Sequence, residues 1–224
     1  MKLQETLDTL KALGNEQFRK TYRRHGAGED VYGVSTAHLK DLQKKIKTDQ
    51  ELAAGLWDSG NHDARILAAK VADPARLDLK TLDAWAAGLR NYVEIDALAE
   101  VAARSPQARE VMARWMASDQ EWIAAAGWKV MAHLAREEGA LPDAELEGYL
   151  AAVERGLHGS PNRVRHEMNS AVIAIGGYHP ALTQKALATA ARIGKVEVDH
   201  GDTDCKTPDA AAYIRKVLER RKKG

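Results

Sequence analysis

Apolar residues recur along this chain at helical spacing almost from end to end. Leu3, Leu7, Leu10 and Leu13 form one stripe. A second short helix is predicted over 15–24, broken by Gly26-Ala27-Gly28-Glu29-Asp30. Ser35 suits an N-cap for 36–47, with Leu39, Leu42 and Ile46 inward. Asp49 opens a helix ending at Trp57, and Asn61 opens His62 to Ala72, closed by Asp73-Pro74. Asp78 opens a helix holding Leu82, Trp85 and Leu89, and the stretch Leu89 to Asp96 continues it to about Arg104. Ser105-Pro106 opens 106–117, Asp119 opens 120–137, and further starts fall at Pro142, Ser160-Pro161, His179-Pro180 (180–193) and Thr207-Pro208. Only Lys195 to Val198 alternates as a strand would.

The pattern therefore predicts an all-α chain of ten or more helices. Pairs of helices recur at 49–72, 78–104, 106–137 and 142–175, roughly every 35–40 residues, the period of HEAT- or armadillo-type repeats. The expected architecture is a single domain over 1–224, an α-solenoid curved around a concave face, with a short basic tail over about 216–224. A compact all-α bundle is the competing arrangement.

Composition narrows the function. Charged residues make up 29% of the chain, and no apolar run reaches the roughly 20 residues of a spanning helix, so no membrane role is expected. The N-terminus is amphipathic and charged, unlike a secretory signal. A single cysteine, Cys205, agrees with a reducing, cytoplasmic setting. The net charge of +1 hides an uneven spread: residues 1–47 carry +4, residues 211–224 carry +5, and the middle carries −8. Basic ends around an acidic middle suit either a polyanion partner or ordinary solvated helix faces.

Several motifs resemble the DNA alkylation repair family of HEAT-like proteins. They are Tyr32-Gly33-Val34 with Leu39, Trp57-Asp58-Ser59-x-x-His62-Asp63-x-Arg65, the stretch Leu89 to Asp96, and Trp115-Met116-Ala117-Ser118-Asp119-x-x-Trp122. The segment Val196 to Asp209 resembles a subgroup of the same family. The resemblance covers nearly the whole chain. It implies a curved solenoid whose basic concave face holds duplex DNA, and a glycosylase activity on cationic alkylpurines that needs neither metal nor cofactor. Carried over by position, the family's catalytic aspartate falls on Asp96 and the aromatic one turn before it on Tyr92. The family's arginine falls on Ala125, and a later tryptophan falls on Ser170.

The chemistry of such a pair is plain. A cationic purine leaves readily, so a carboxylate that steadies the developing positive charge on the sugar is the main requirement, and an aromatic face favours the cationic base. Asp96 and Tyr92, one helical turn apart, supply both. An aspartate among Ile95, Ala97, Leu98 and Ala99 is otherwise costly to bury, and its alternative is a hydrogen bond to a neighbouring helix or exposure. Arg65, Arg163 and Arg165 are candidates for the missing phosphate contact. Lys40, Lys44 and Lys47 share a stripe suited to phosphates, and Arg220 and Arg221 begin a basic run to Lys223 suited to nonspecific backbone contact. Asp199, His200, Asp202, Asp204 and Cys205 match neither an EF-hand nor a zinc pattern, so no metal is expected. Three functions follow: a glycosylase for N3- or N7-alkylpurines, an inactive relative that binds damaged or branched DNA, and a helical-repeat scaffold for protein partners. A monomer is the favoured state, with double-stranded DNA, alkylated or structured, as partner.

Overall fold

The computed structural model describes residues 1–222, so Lys223 and Gly224 of the expected basic tail lie outside the described residues. Among the described residues there are α-helices and short 3-10 turns and no strand. They fall into two compact units, Met1–Val111 with Gly201–Thr203, and Met112–His200 with the chain from Asp204 onward.

The first unit holds α1 (Leu3–Ala12), α2 (Glu16–Arg24), α3 (Thr36–Ile46), α4 (Gln50–Asp58), α5 (His62–Val71), α6 (Leu79–Ala87) and α7 (Tyr92–Ala103). Its helix starts follow the expected capping chemistry: Ser35, Asp49, Asn61 and Asp78 each accept a backbone N–H from the first turn with the side chain. Helix α5 packs against α3, α4 and α7, and α6 packs on α7. Trp57 and Trp85 stack in this core, ring centres 4.6 Å apart and planes 8° from parallel.

α8 (Ala108–Met116) carries the boundary between the units. The second unit holds α9 (Glu121–Leu134), α10 (Asp143–Gly156), α11 (Asn162–Tyr178), α12 (Thr183–Ile193) and α13 (Ala210–Arg221). Here α11 is the buried centre, packed on α9, α10, α12 and α13. Gly127 lets α9 approach the chain at Trp115-Met116: a Cβ there would lie 2.4 Å from the Met116 nitrogen.

Four expectations change. The helix through Leu89 to Asp96 is broken, because α6 ends at Ala87 and Asn91 caps a new helix with its side chain. The cause is a buried arginine: Arg65 Nη1 donates to the Gly88 carbonyl at 2.6 Å. That carbonyl is thereby satisfied outside the helical ladder. Lys195 to Val198 forms no strand among the described residues, with a bend at Lys195. Helix α8 starts at Ala108 rather than 106; the Ser105 hydroxyl donates to the Ala102 carbonyl at 2.8 Å and accepts the Gln107 N–H at 3.3 Å. Residues 216–221 form the last turns of α13.

Candidate functional site

The residues that carried the family resemblance in the first unit turn out to be staples. Asp63, fully buried, accepts the successive backbone N–H groups of Tyr32 (2.7 Å), Gly33 (3.0 Å) and Val34 (2.8 Å). Three donors for one carboxylate satisfy its charge without a cation. Gly33 has φ +78°, and a Cβ there would meet the Asn15 carbonyl oxygen at 2.5 Å. No other residue type fits that turn.

Two of the three carboxylates on helix α7, Glu94 and Asp96, meet different surroundings. Glu94 is 1% exposed. It accepts from Arg65 Nη1 at 3.2 Å and from the Arg90 backbone N–H at 3.1 Å, and it lies 3.4 Å from His62 Nδ1. Asp96 is half-buried, one turn beyond the half-buried Tyr92. Glu94 is the more deeply buried acid of the two, and the spacing of residues did not single it out; Asp96 has one carboxylate oxygen, Oδ1, closed off from solvent as well. Tyr92 in turn has its hydroxyl hydrogen-bonded to His25 Nδ1, with the two rings edge to face at 5.7 Å. Burial, and then the Arg24 charge, hold the His25 imidazole below its ordinary pKa. His25 is 67 residues distant in sequence and gave no signal there.

The candidate arginines separate. Arg65 is not a surface cation: it is 6% exposed, donates to Gly88, Glu94 and Trp57, and lies over the Trp57 ring at 5.5 Å. Arg163 is likewise inside, 7% exposed, with Nη2 on Glu167 at 3.1 Å and its backbone N–H on Glu121 at 2.5 Å. Burial and those acceptors take both out of reach of a phosphate chain. Arg165 is half-buried, and its Nη2 donates to Asn162 Oδ1 at a long 3.4 Å.

Glu167 is the fully buried anion of the second unit, 3.4 Å from Lys129 as well as bonded to Arg163. Beside it, burial first, then the charges of Arg163 and Lys129 and the neighbouring His200, push the His166 pKa down to about 3. His166 is therefore neutral, and its 3.9 Å approach to Glu167 is a contact rather than an ion pair. Ala125 is completely buried in α9. Ser170 is half-buried, its hydroxyl donating back to the His166 carbonyl at 3.1 Å. The segment after α12 is strapped onto α11: Asn162 exchanges two hydrogen bonds with the Asp199 backbone, His200 meets the His166 ring edge-on at 5.6 Å, and Asn169 donates to the Pro208 carbonyl. Cys205 is exposed there. Among the described residues no group of three acidic, histidine or cysteine side chains is arranged for a metal, and no helix is long and apolar enough to cross a membrane.

Lys40, Lys44 and Lys47 are all exposed on α3 or at its end. Lys44 and Lys47 line a shallow cleft of about 440 Å³ together with Lys70 and Arg104. Among the described residues no carboxylate lines it. Lys47 stands out in its backbone as well: at φ +65°, ψ −115° it occupies a conformation suited to glycine. Lys70 and Arg104 come from other helices and could not be grouped with the α3 lysines by spacing.

The model of the DNA alkylation repair enzyme family matches residues 6–214. The chain belongs to this family. It is 30% identical to the uncharacterized protein Lin0241 of Listeria innocua, over 96% of this chain and 97% of that one. It is 31% identical to the uncharacterized protein Lmo0209 of Listeria monocytogenes, over 97% and 98%. Among solved structures it is similar, with TM-score 0.90 and 32% identity over 99% of this chain and 95% of the other, to one described as a new family of proteins related to the HEAT-like repeat DNA glycosylases with affinity for branched DNA structures. The all-helical HEAT-like fold expected of the family member is thus the fold it has.

Proposed function

We propose that this family member binds DNA, branched or otherwise structured, and does not cut the glycosidic bond. The observation that carries binding is the cleft of Lys44, Lys47, Lys70 and Arg104, four cations with no lining carboxylate among the described residues. Lys44 has Asp41 at 3.6 Å outside the cleft, an exposed pair that contributes little. The cleft therefore keeps an excess of cations that favours an anion, and a phosphodiester chain is one whose charges are spaced to meet it. The affinity for branched DNA described for the structural relative supports the same reading. Lys40, Arg165, Arg220 and Arg221 are further proposed phosphate contacts.

Against cutting stands Ala125. The resemblance puts an arginine there, and this chain offers a methyl group with no exposure at all. Ser170, bonded to its own helix, replaces the expected second aromatic. The glycosylase reading keeps one specific support, the half-buried Asp96 one turn from Tyr92 on α7.

The test has two arms. Anisotropy titrations with duplex and branched DNA at several salt concentrations should give binding that weakens steeply with salt. Salt-independent binding, or none, removes the DNA reading and leaves the protein scaffold. Incubation of excess protein with duplex containing 7-methylguanine or 3-methyladenine should release no base beyond the buffer rate. Release that disappears in Asp96→Asn would restore the glycosylase.

A further inference from the structure

The second unit carries a pocket that the preceding reading does not use. Tyr178 ends α11, and arginines stand over its ring from two elements: Arg221 of α13 at 4.7 Å and Arg136, just past α9, at 6.0 Å. Arg221 is held there by donating Nη1 to the Gly177 carbonyl at 3.0 Å. Tyr213 and Arg220 of α13 complete the rim, and Ile173, Ala174 and Val217 form an apolar floor, enclosing about 230 Å³. Three guanidinium groups share this small space with no lining carboxylate, and among the described residues none of the three forms an ion pair. Tyr213 is 38% exposed, one of three large hydrophobic side chains left this open.

We infer that this pocket takes one unstacked base of single-stranded DNA, with its flanking phosphates on the arginines. The chemistry selects that ligand. A free anion would use the guanidinium groups but leave the exposed Tyr213 ring and the apolar floor idle, Tyr178 being already covered by Arg221 and Arg136. An apolar peptide would leave three cations unpaired. A nucleobase with its phosphate uses both, through stacking on an aromatic face and charge-assisted hydrogen bonds. Intact duplex keeps its bases stacked and cannot fill the pocket, so the strand must come from a flap, a gap or a junction. The neighbouring cleft, which shares Arg136, Tyr178 and Arg221 with this pocket, carries Glu137, Glu138 and Asp143. These repel a phosphate chain and direct it toward Arg220. The inference goes beyond the proposed function, resting on it only in taking DNA as the ligand.

The test is anisotropy of a labelled 15-nucleotide oligothymidine with the full chain, beside an abasic strand of equal length and a blunt duplex. Tyr213→Ala, at an exposed position, should weaken oligothymidine binding about tenfold and leave the blunt duplex unaffected. Arg136→Gln with Arg220→Gln should lower the slope of log affinity against log salt by about 0.7 for each arginine. Melting curves matching wild type establish that the variants fold. If the abasic strand binds as well as oligothymidine, or Tyr213→Ala binds as wild type does, the pocket reads charge alone and the inference is overturned. Failure on the blunt duplex with oligothymidine binding intact strikes the cationic cleft of the first unit, not this pocket.

Discussion

Arg65 donates to Glu94 at 3.2 Å with both side chains buried, and the same guanidinium fixes the carbonyl that ends α6. One ion pair thereby decides where α7 begins, and so where Tyr92 and Asp96 stand. Removing one partner leaves an uncompensated buried charge, which costs about 3–5 kcal/mol. Glu94→Ala is expected to lose that much stability in urea titrations, and Arg65→Met with Glu94→Leu together should recover part of it.

Asp63 should be equally sensitive by a different route. Asp63→Ala leaves the N–H groups of Tyr32, Gly33 and Val34 without their acceptor. A buried donor stripped of its partner costs about 1–3 kcal/mol. Hydrogen exchange at these three amides should speed up well before the remaining helices open.

Lys47 gives a prediction in which stability and binding move in opposite directions. Its positive φ suits glycine, and holding a side chain in such a region costs about 1–3 kcal/mol. Lys47→Gly should therefore raise the melting temperature while weakening duplex binding and reducing the salt slope by about 0.9. A variant that is less stable, or that binds as tightly as wild type, would show that the lysine is not held there for a phosphate.

Ala125→Arg should not restore a glycosylase. The position has no exposure, and an unpaired guanidinium forced into a packed helix face costs several kcal/mol, on the order of 4 or more. The expected outcome is a large drop in denaturation midpoint with no base release.

His166 sets a pH dependence. Its folded pKa is about 3 against an ordinary 6.5, so the unfolded chain takes up a proton in a range where the folded chain does not. Stability is complete above 6.5 and declines as pH falls toward 3. The limiting slope is about 1.4 kcal/mol per pH unit from this one group. His166→Phe should flatten this part of the denaturation-against-pH curve.

The helical class, the helix pairs and most helix starts were legible in the sequence, because apolar spacing and capping side chains act within one or two turns. Ser35, Asp49, Asn61 and Asp78 cap as their chemistry requires. The pairing of Tyr92 with Asp96 on one helix was legible for the same reason. Family motifs such as His62-Asp63-x-Arg65 stood out as residues, yet their role did not: nothing local tells that Asp63 will hold a turn 30 residues away or that Arg65 will end a helix. Burial separates Glu94 from Asp96 and takes Arg65 and Arg163 out of the candidate phosphate contacts, and burial depends on which helices pack over a side chain. The Lys44–Lys70–Arg104 cleft and the arginines around Tyr178 are assembled from separate elements. Charge and aromatic content along the chain give their ingredients, and only tertiary packing puts them within one ligand's reach.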